Sequence, residues 1–227
     1  SHAIGAKYKN NFIGNCNYSD IVIFSFHPVK IITTGEGGMA LTNNKSTAKK
    51  LDILRTHGVT RNPEDMTKEP DGPWYYQQIG LGYNYRMHDI SAALGISQLK
   101  RIDAFIKDRH KIAKIYDESF ADLPLQKQYR DQENYSSLHL YIINLEIDCL
   151  KKTHLEIFND LRKKGIGVNI HYIPVHTQPY YQSLGFKYGD YPVSEGYYKR
   201  ALSLPIFPNL TEKELSKVIS SVKSVIK

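Results

Sequence analysis

The stretch that most constrains this chain is residues 20–38. There Asp20-Ile21-Val22-Ile23-Phe24 runs into Ser25-Phe26-His27-Pro28-Val29-Lys30, and then into Thr33-Thr34-Gly35-Glu36-Gly37-Gly38. A short, β-branched apolar run predicts a buried strand. A lysine directly after such a strand is unusual, because Lys is almost never fully buried without a partner or a task. One task fits: desolvation lowers a lysine pKa and frees the amine to form an imine with a carbonyl. Ser25 offers a hydroxyl to a phosphate, and the glycines let backbone approach a ligand closely. A carbonyl compound that carries a phosphate is pyridoxal phosphate (PLP). A solvated lysine at a strand end, beside an ordinary glycine turn, accounts for the same residues.

At 227 residues with 41% hydrophobic content, the chain suits one large domain or two small ones with a real core. No apolar run approaches the roughly 20 residues of a membrane helix, so no membrane partner is expected, and no signal-peptide pattern opens the chain. Cys16 and Cys149 are far apart with no CxxC pair, which points to a reducing cytoplasm. The net charge of +7 raises the question of nucleic acid. Its basic residues are scattered, however. Lys100-Arg101, Arg109-His110-Lys111 and Arg162-Lys163-Lys164 are mixed with Asp103, Asp108, Glu156 and Asp160, the pattern of solvated helix faces. A basic balance also suits a diphosphate-bearing substrate.

Residues 1–20 read as a loop and a weak strand. A second short strand is expected at 39–42 and a helix from Ser46 to Thr56, stopped by Gly58. Residues 59–80 are polar and loop-like. A loop of that length is functional or disordered, and Trp74-Tyr75-Tyr76 argues for ordered contact, with a sugar, a base or a dimer partner. Ala92, Gly95, Leu99, Ile102, Ile106, Ala113, Tyr116 and Phe120 predict one long helix from near Asp89 with a packed apolar stripe. Arg109 interrupts the stripe, so a bend or domain hinge is expected there, dividing the chain into 1–109 and 110–227.

From Ser137 the texture changes. Strands are expected at 138–145 and 167–171, and a short helix at 197–202. Thr153-His154-Leu155-Glu156 and Thr211-Glu212-Lys213-Glu214 are capping boxes, each opening a helix. The last helix turns Leu215, Val218, Ile219, Val222 and Ile226 inward. Strands and helices without hairpins predict a small α/β or α+β layer. His171 and His176 suggest a metal, but Pro174 and Pro179 break any helix that would align them and no carboxylate is close in sequence, so no zinc site is expected. No internal repeat, GxGxxG, P-loop or Gly-x-Ser-x-Gly is present.

The run Ser25-Phe-His-Pro-Val-Lys30-Ile-Ile-Thr-Thr-Gly-Glu-Gly-Gly38 resembles the PLP-lysine signature of the DegT-type sugar aminotransferases, fold-type I enzymes that aminate keto groups on nucleotide-activated sugars. Gly80-Leu81-Gly82-Tyr83-Asn84-Tyr85-Arg86-Met87 resembles the family's Gly-x-Asn-[Tyr/Phe]-Arg-Met segment. His171-Tyr172-Ile173-Pro174-Val175-His176-Thr177-Gln178-Pro179-Tyr180-Tyr181 resembles its substrate loop. The resemblance covers essentially the whole chain.

The resemblance implies an α/β, aspartate aminotransferase-like fold, with 1–109 the C-terminal part of the large mixed-sheet cofactor domain and 110–227 the small C-terminal domain. It implies Lys30 as the catalytic residue. His2 and Ser25 would contact the cofactor, and Asn84 would reach across a homodimer to the partner's cofactor phosphate. Trp74, Tyr76, Arg86, His171, Tyr172, His176 and Tyr180 would bind substrate. The family's acidic partner of the pyridine nitrogen would lie just upstream of Ser1, so the chain is expected to be a fragment lacking roughly the first half.

The Pro-Trp-Tyr-Tyr-Gln form resembles the branch acting in pseudaminic acid biosynthesis. That implies a UDP-linked 4-keto-6-deoxy sugar as acceptor and L-glutamate as donor. The perosamine and bacillosamine branches share the signature. Related sugar dehydratases replace the lysine by His, so Lys30 argues against that chemistry. A non-enzymatic nucleic-acid module would need a contiguous basic face, which the pattern lacks.

Overall fold

The computed structural model describes residues 1–131 and 133–226. They form two compact units. The first is Ser1–Ile102 with Glu133–Tyr135, and the remaining described residues form the second. The division falls after Ile102, seven residues before the hinge expected at Arg109.

In the first unit, β1 (Lys7–Tyr8) and β2 (Asn11–Phe12) form a tight hairpin, and β1 also pairs with β8 (Asn134–Tyr135). The two loop residues, Lys9 and Asn10, both take positive φ, the backbone that such a turn demands. Then β3 (Val22–Ser25) pairs antiparallel with β4 (Gly38–Leu41), with Ser25 opposite Gly38. A Cβ on Gly38 would meet the Phe24 carbonyl oxygen at 2.7 Å, so the pairing requires glycine there.

Helix α1 (Lys45–Arg55) is capped by Asn44, whose side chain accepts from Thr47 N at 3.0 Å. It ends at His57 and Gly58, both at positive φ. The 59–80 loop proves to be anchored at both ends by the pairing of β5 (Val59–Thr60) with β6 (Gln77–Gln78). A last helix, α2 (Asp89–Leu99), has no fully buried residue.

The second unit is built on α3 (Ile102–Ser119) and an antiparallel sheet of order β10-β9-β7, with β7 at Leu125–Lys127, β9 at Tyr141–Leu145 and β10 at Ala201–Leu204. Around it lie α4 (His154–Lys163), α5 (Pro179–Ser183), α6 (Pro192–Tyr198) and α7 (Glu212–Ile226). One core joins Tyr116, Phe120, Tyr141, Ile143, Leu145, Ile157, Leu161, Val168, Leu202 and Val222. Burying an aliphatic or aromatic side chain of this size contributes about 1.5–3 kcal/mol. Both capping boxes form: Thr153 exchanges bonds with Glu156, and Thr211 with Glu214.

Four expectations need correction. The single long helix is two, broken at Lys100 and Arg101. Its apolar stripe is buried only from Ile106 onward, whereas Leu99 is half exposed. Arg109 does not mark a bend. It lies inside the unit, and its guanidinium is held by backbone carbonyls. The helix expected at 197–202 ends at Tyr198, and Ala201–Leu204 is a fully buried strand paired with β9. Finally, 167–171 is not a full strand; only Asn169 forms a bridge, to Ser203.

Candidate active site

Lys30 sits where local sequence puts it. After β3, His27 to Lys30 form a turn in which Lys30 N donates to His27 O at 2.9 Å. Ile31 and Ile32 then plunge into the core, leaving Lys30 half-buried at its edge. Across from it, Ser25 N donates to Ser1 O at 3.1 Å, which lays the first residues along the end of β3. His2 is thereby brought to Lys30, with Nε2 3.0 Å from Nζ. Among the described residues no carboxylate pairs with Lys30. Ser25 Oγ lies 3.5 Å from His27 N, at the mouth of the same turn. Lys30, His2 and Ser25 are therefore clustered.

Arg86, Tyr76 and the neighbourhood of Asn84 form a second cluster in the same unit. Residues 83–85 run along the end of α1: His57 N donates to Tyr83 O at 2.8 Å and Tyr85 N to Arg55 O at 2.9 Å, with Thr56 bridged to Asn84. The approach is possible because Gly58 and Gly82 meet backbone to backbone, where a Cβ on either would overlap main-chain atoms.

This arrangement opens a cleft of about 540 Å³ lined by Thr56, His57, Val59, Arg61, Tyr76, Gln78 and Arg86. Arg61 stacks over the Tyr76 ring, 5.7 Å from its centre. The lining holds two guanidiniums and no carboxylate. Neither arginine has an ion-pair partner among the described residues, which is the electrostatics of an anion site. Trp74 is 72% exposed and its ring covers Gly72; it is not among the residues lining the cleft.

In the second unit, His171 Nδ1 lies 2.7 Å from Ser203 Oγ, and its ring meets Tyr172 edge-on at 4.6 Å. Tyr172 and Tyr180 are exposed. His176 is different in kind. It is buried, and its Nε2 lies 2.9 Å from Glu195 Oε1. The His176 imidazole, and after it the Gly189 N–H, hold the Glu195 carboxyl below the usual carboxylate range. No group of three or more His, Cys, Asp or Glu side chains is arranged to hold a metal among the described residues.

Sequence reasoning missed Arg61, His57 and Gln78, because only the β5–β6 pairing brings them beside Arg86. It missed Glu195 because nothing in the local pattern distinguishes a lone glutamate from a solvated one.

A family model described as the DegT/DnrJ/EryC1/StrS aminotransferase family matches residues 1–223. The chain belongs to this family. It is similar to the UDP-4-amino-4,6-dideoxy-N-acetyl-beta-L-altrosamine transaminase of Campylobacter jejuni, at 36% identity over 231 residues, 100% of this chain and 57% of that protein. Helicobacter pylori PseC, described as an aminotransferase involved in the biosynthesis of pseudoaminic acid, superposes with a TM-score of 0.88 at 30% identity, covering 100% of this chain and 58% of that one. The PLP-form of Spr1654 from Streptococcus pneumoniae superposes at 0.86 and 31% identity, covering 99% and 55%. The chain thus spans somewhat more than half the length of the relatives it matches.

The fold is that of the PLP-dependent aminotransferases of this family, of which these two units are a part. Pyridoxal phosphate is the family's cofactor, and the residues present fit it. A half-buried primary amine faces an imidazole rather than a carboxylate, with a serine hydroxyl at the same turn.

Proposed function

We propose that the protein carrying this chain is a PLP-dependent aminotransferase. It moves an amino group, with L-glutamate as donor, to C4 of a UDP-linked 4-keto-6-deoxy-N-acetylhexosamine in pseudaminic acid biosynthesis. The observation that carries this reading is the Lys30–His2 pair at the turn after β3, a lysine amine held without an acid.

Bound there, the cofactor supplies an electron sink for amino-group exchange. Lys30 would hold it through Nζ, and the same Nζ would take up and return the proton of the reacting carbon. His2 orients Nζ through the 3.0 Å contact. Ser25 holds the phosphate, and Asn84 of one copy contributes to the phosphate site of the other, which makes the working unit a homodimer. Arg61 and Arg86 neutralise the substrate's diphosphate, and Tyr76 offers a stacking face. Trp74, His171, Tyr172 and Tyr180 read the sugar. The cytoplasm is the proposed site of the reaction, in keeping with two cysteines far apart and no CxxC pair.

The test is borohydride trapping on the full-length protein with added PLP, followed by peptide mapping. A pyridoxyl mass on the Lys30 peptide is expected, and Lys30→Ala is expected to abolish both label and transamination. A protein that stays unlabelled would sink the reading. Assay with the 4-keto sugars of the perosamine and bacillosamine branches tests the choice of acceptor.

A further inference from the structure

Between Asn169 and α6 the second unit carries a lobe, residues 171–191, whose helical parts are one 3-10 turn at Val175–Thr177 and α5, five residues long. A helix that short does not hold itself. The lobe carries large exposed side chains: Tyr172, Ile173, Tyr180, Leu184 and Tyr188. One carboxylate oxygen ties both of its limbs. Glu195 Oε1, on α6, lies 2.9 Å from His176 Nε2 on the outgoing limb and accepts from Gly189 N at 2.7 Å on the returning one. A carboxylate only accepts, so the Nε2 tautomer of His176 donates.

Both side chains of the pair are more than nine-tenths buried. The Tyr191 ring lies 4.8 Å from that of His176, and Phe186 continues the aromatic packing to Tyr181. A buried hydrogen-bonded pair of this kind adds little net stability, but removing one partner leaves the polar group of the other unsatisfied. Such a pair is suited to fixing one conformation.

We propose that Glu195 is a positioning residue: through His176 and Gly189 it presets the 171–191 lobe, and with it the Tyr172 and Tyr180 surface that reads the sugar, without touching the ligand itself. The part played by the sugar rests on the function proposed above; the stapling of the lobe does not.

The test uses the full-length protein and its Glu195→Ala and Glu195→Gln variants, with two readouts. The first is hydrogen–deuterium exchange without substrate. Glu195→Ala is expected to speed exchange in 171–191 by about tenfold or more while α4, α7 and the β9–β10 pair stay protected. The second is the kinetics of the keto-sugar acceptor, where KM is expected to rise about tenfold with kcat within about threefold. Glu195→Gln keeps an acceptor oxygen and is expected to recover most of both.

Unchanged exchange in Glu195→Ala overturns the staple. Faster exchange throughout the second unit marks general destabilisation and overturns the positioning role. Faster exchange confined to the lobe with an unchanged KM keeps the staple and overturns the lobe as a reader of sugar. If the wild type transfers no amino group at all, the function fails, and exchange still decides the staple.

Discussion

Arg61 and Arg86 share one cleft and no acid. Arg61 comes from the loop just after β5 and Arg86 from the segment laid along the end of α1, so the pair exists only because the β5–β6 pairing and the glycine contact at 58 and 82 form together. Two uncompensated guanidiniums on an aromatic floor are matched to a doubly charged ligand. In the full-length protein, Arg61→Ala and Arg86→Ala are each expected to raise the KM for the nucleotide sugar by about 10- to 100-fold, equivalent to about 1.4–2.7 kcal/mol. Arg61→Lys is expected to recover little, because an ammonium cannot stack and fork as a guanidinium does. An unchanged KM in both alanine variants would assign the diphosphate elsewhere.

Much of the fold was legible and the reasons for the rest are physical. Asp20 to Gly38 announced a strand, a lysine turn and a glycine return, because each depends on neighbours in sequence, but the strand is not buried as expected: only Phe24 turns inward and Ile23 is half exposed. The capping boxes at Thr153 and Thr211 were legible for the same reason. Ala201 to Leu204 was not. Read locally, the run from Tyr197 to Leu202 passes for helix, and it becomes a strand only through pairing with β9, far away in sequence. Arg109 misled because a charge in an apolar stripe looks like an interruption, whereas here three distant carbonyls receive it. The candidate site was legible where a contiguous motif carries it, as in the turn that brings Lys30 to His2. It was illegible where long-range pairing assembled it, as for Arg61, or where burial gave a residue its role, as for Glu195.

Because β10 is a core strand, Leu202, fully buried, should behave as a core residue. Leu202→Ala is expected to cost about 2–5 kcal/mol in equilibrium unfolding of the full-length protein. A loss below about 1 kcal/mol, the scale of an exposed site, would contradict the strand assignment.

Several carboxylates make acid the weak side of this unit. Glu156 is held below the usual range first by the Thr153 N–H, Asp160 by Lys152, and Glu214 by the Thr211 hydroxyl. A carboxylate whose folded pKa is depressed contributes stability that is present above its unfolded pKa, about 4.3 for Glu and 3.9 for Asp, and lost as pH falls through the folded value. Thermal midpoints should therefore be flat from neutrality down to about pH 5 and fall below it. Glu156→Gln with Glu214→Gln should make that fall shallower. An equally steep fall in the double variant would put the acid sensitivity in other groups.

Arg109 gives the sharpest stability test. Its Nη1 donates to Leu138 O at 3.1 Å, His139 O at 3.3 Å and Ile206 O at 2.9 Å, joining α3 to two connections of the second unit. Burial pushes its guanidinium down to about 10, so it is still a cation at neutral pH. Arg109→Met preserves the apolar stem and strands three carbonyls, an expected loss of about 3–5 kcal/mol. The sign of the pH dependence follows from the lowered value. The folded state releases the proton before the unfolded state does, so this group adds stability only as pH climbs above about 10. Between pH 6 and about pH 9 the difference between wild type and Arg109→Met should accordingly be constant. Denaturant unfolding of both proteins across that window checks it. A difference that changes sign or vanishes there would mean that the three carbonyls find other donors, and that Arg109 is not what holds them.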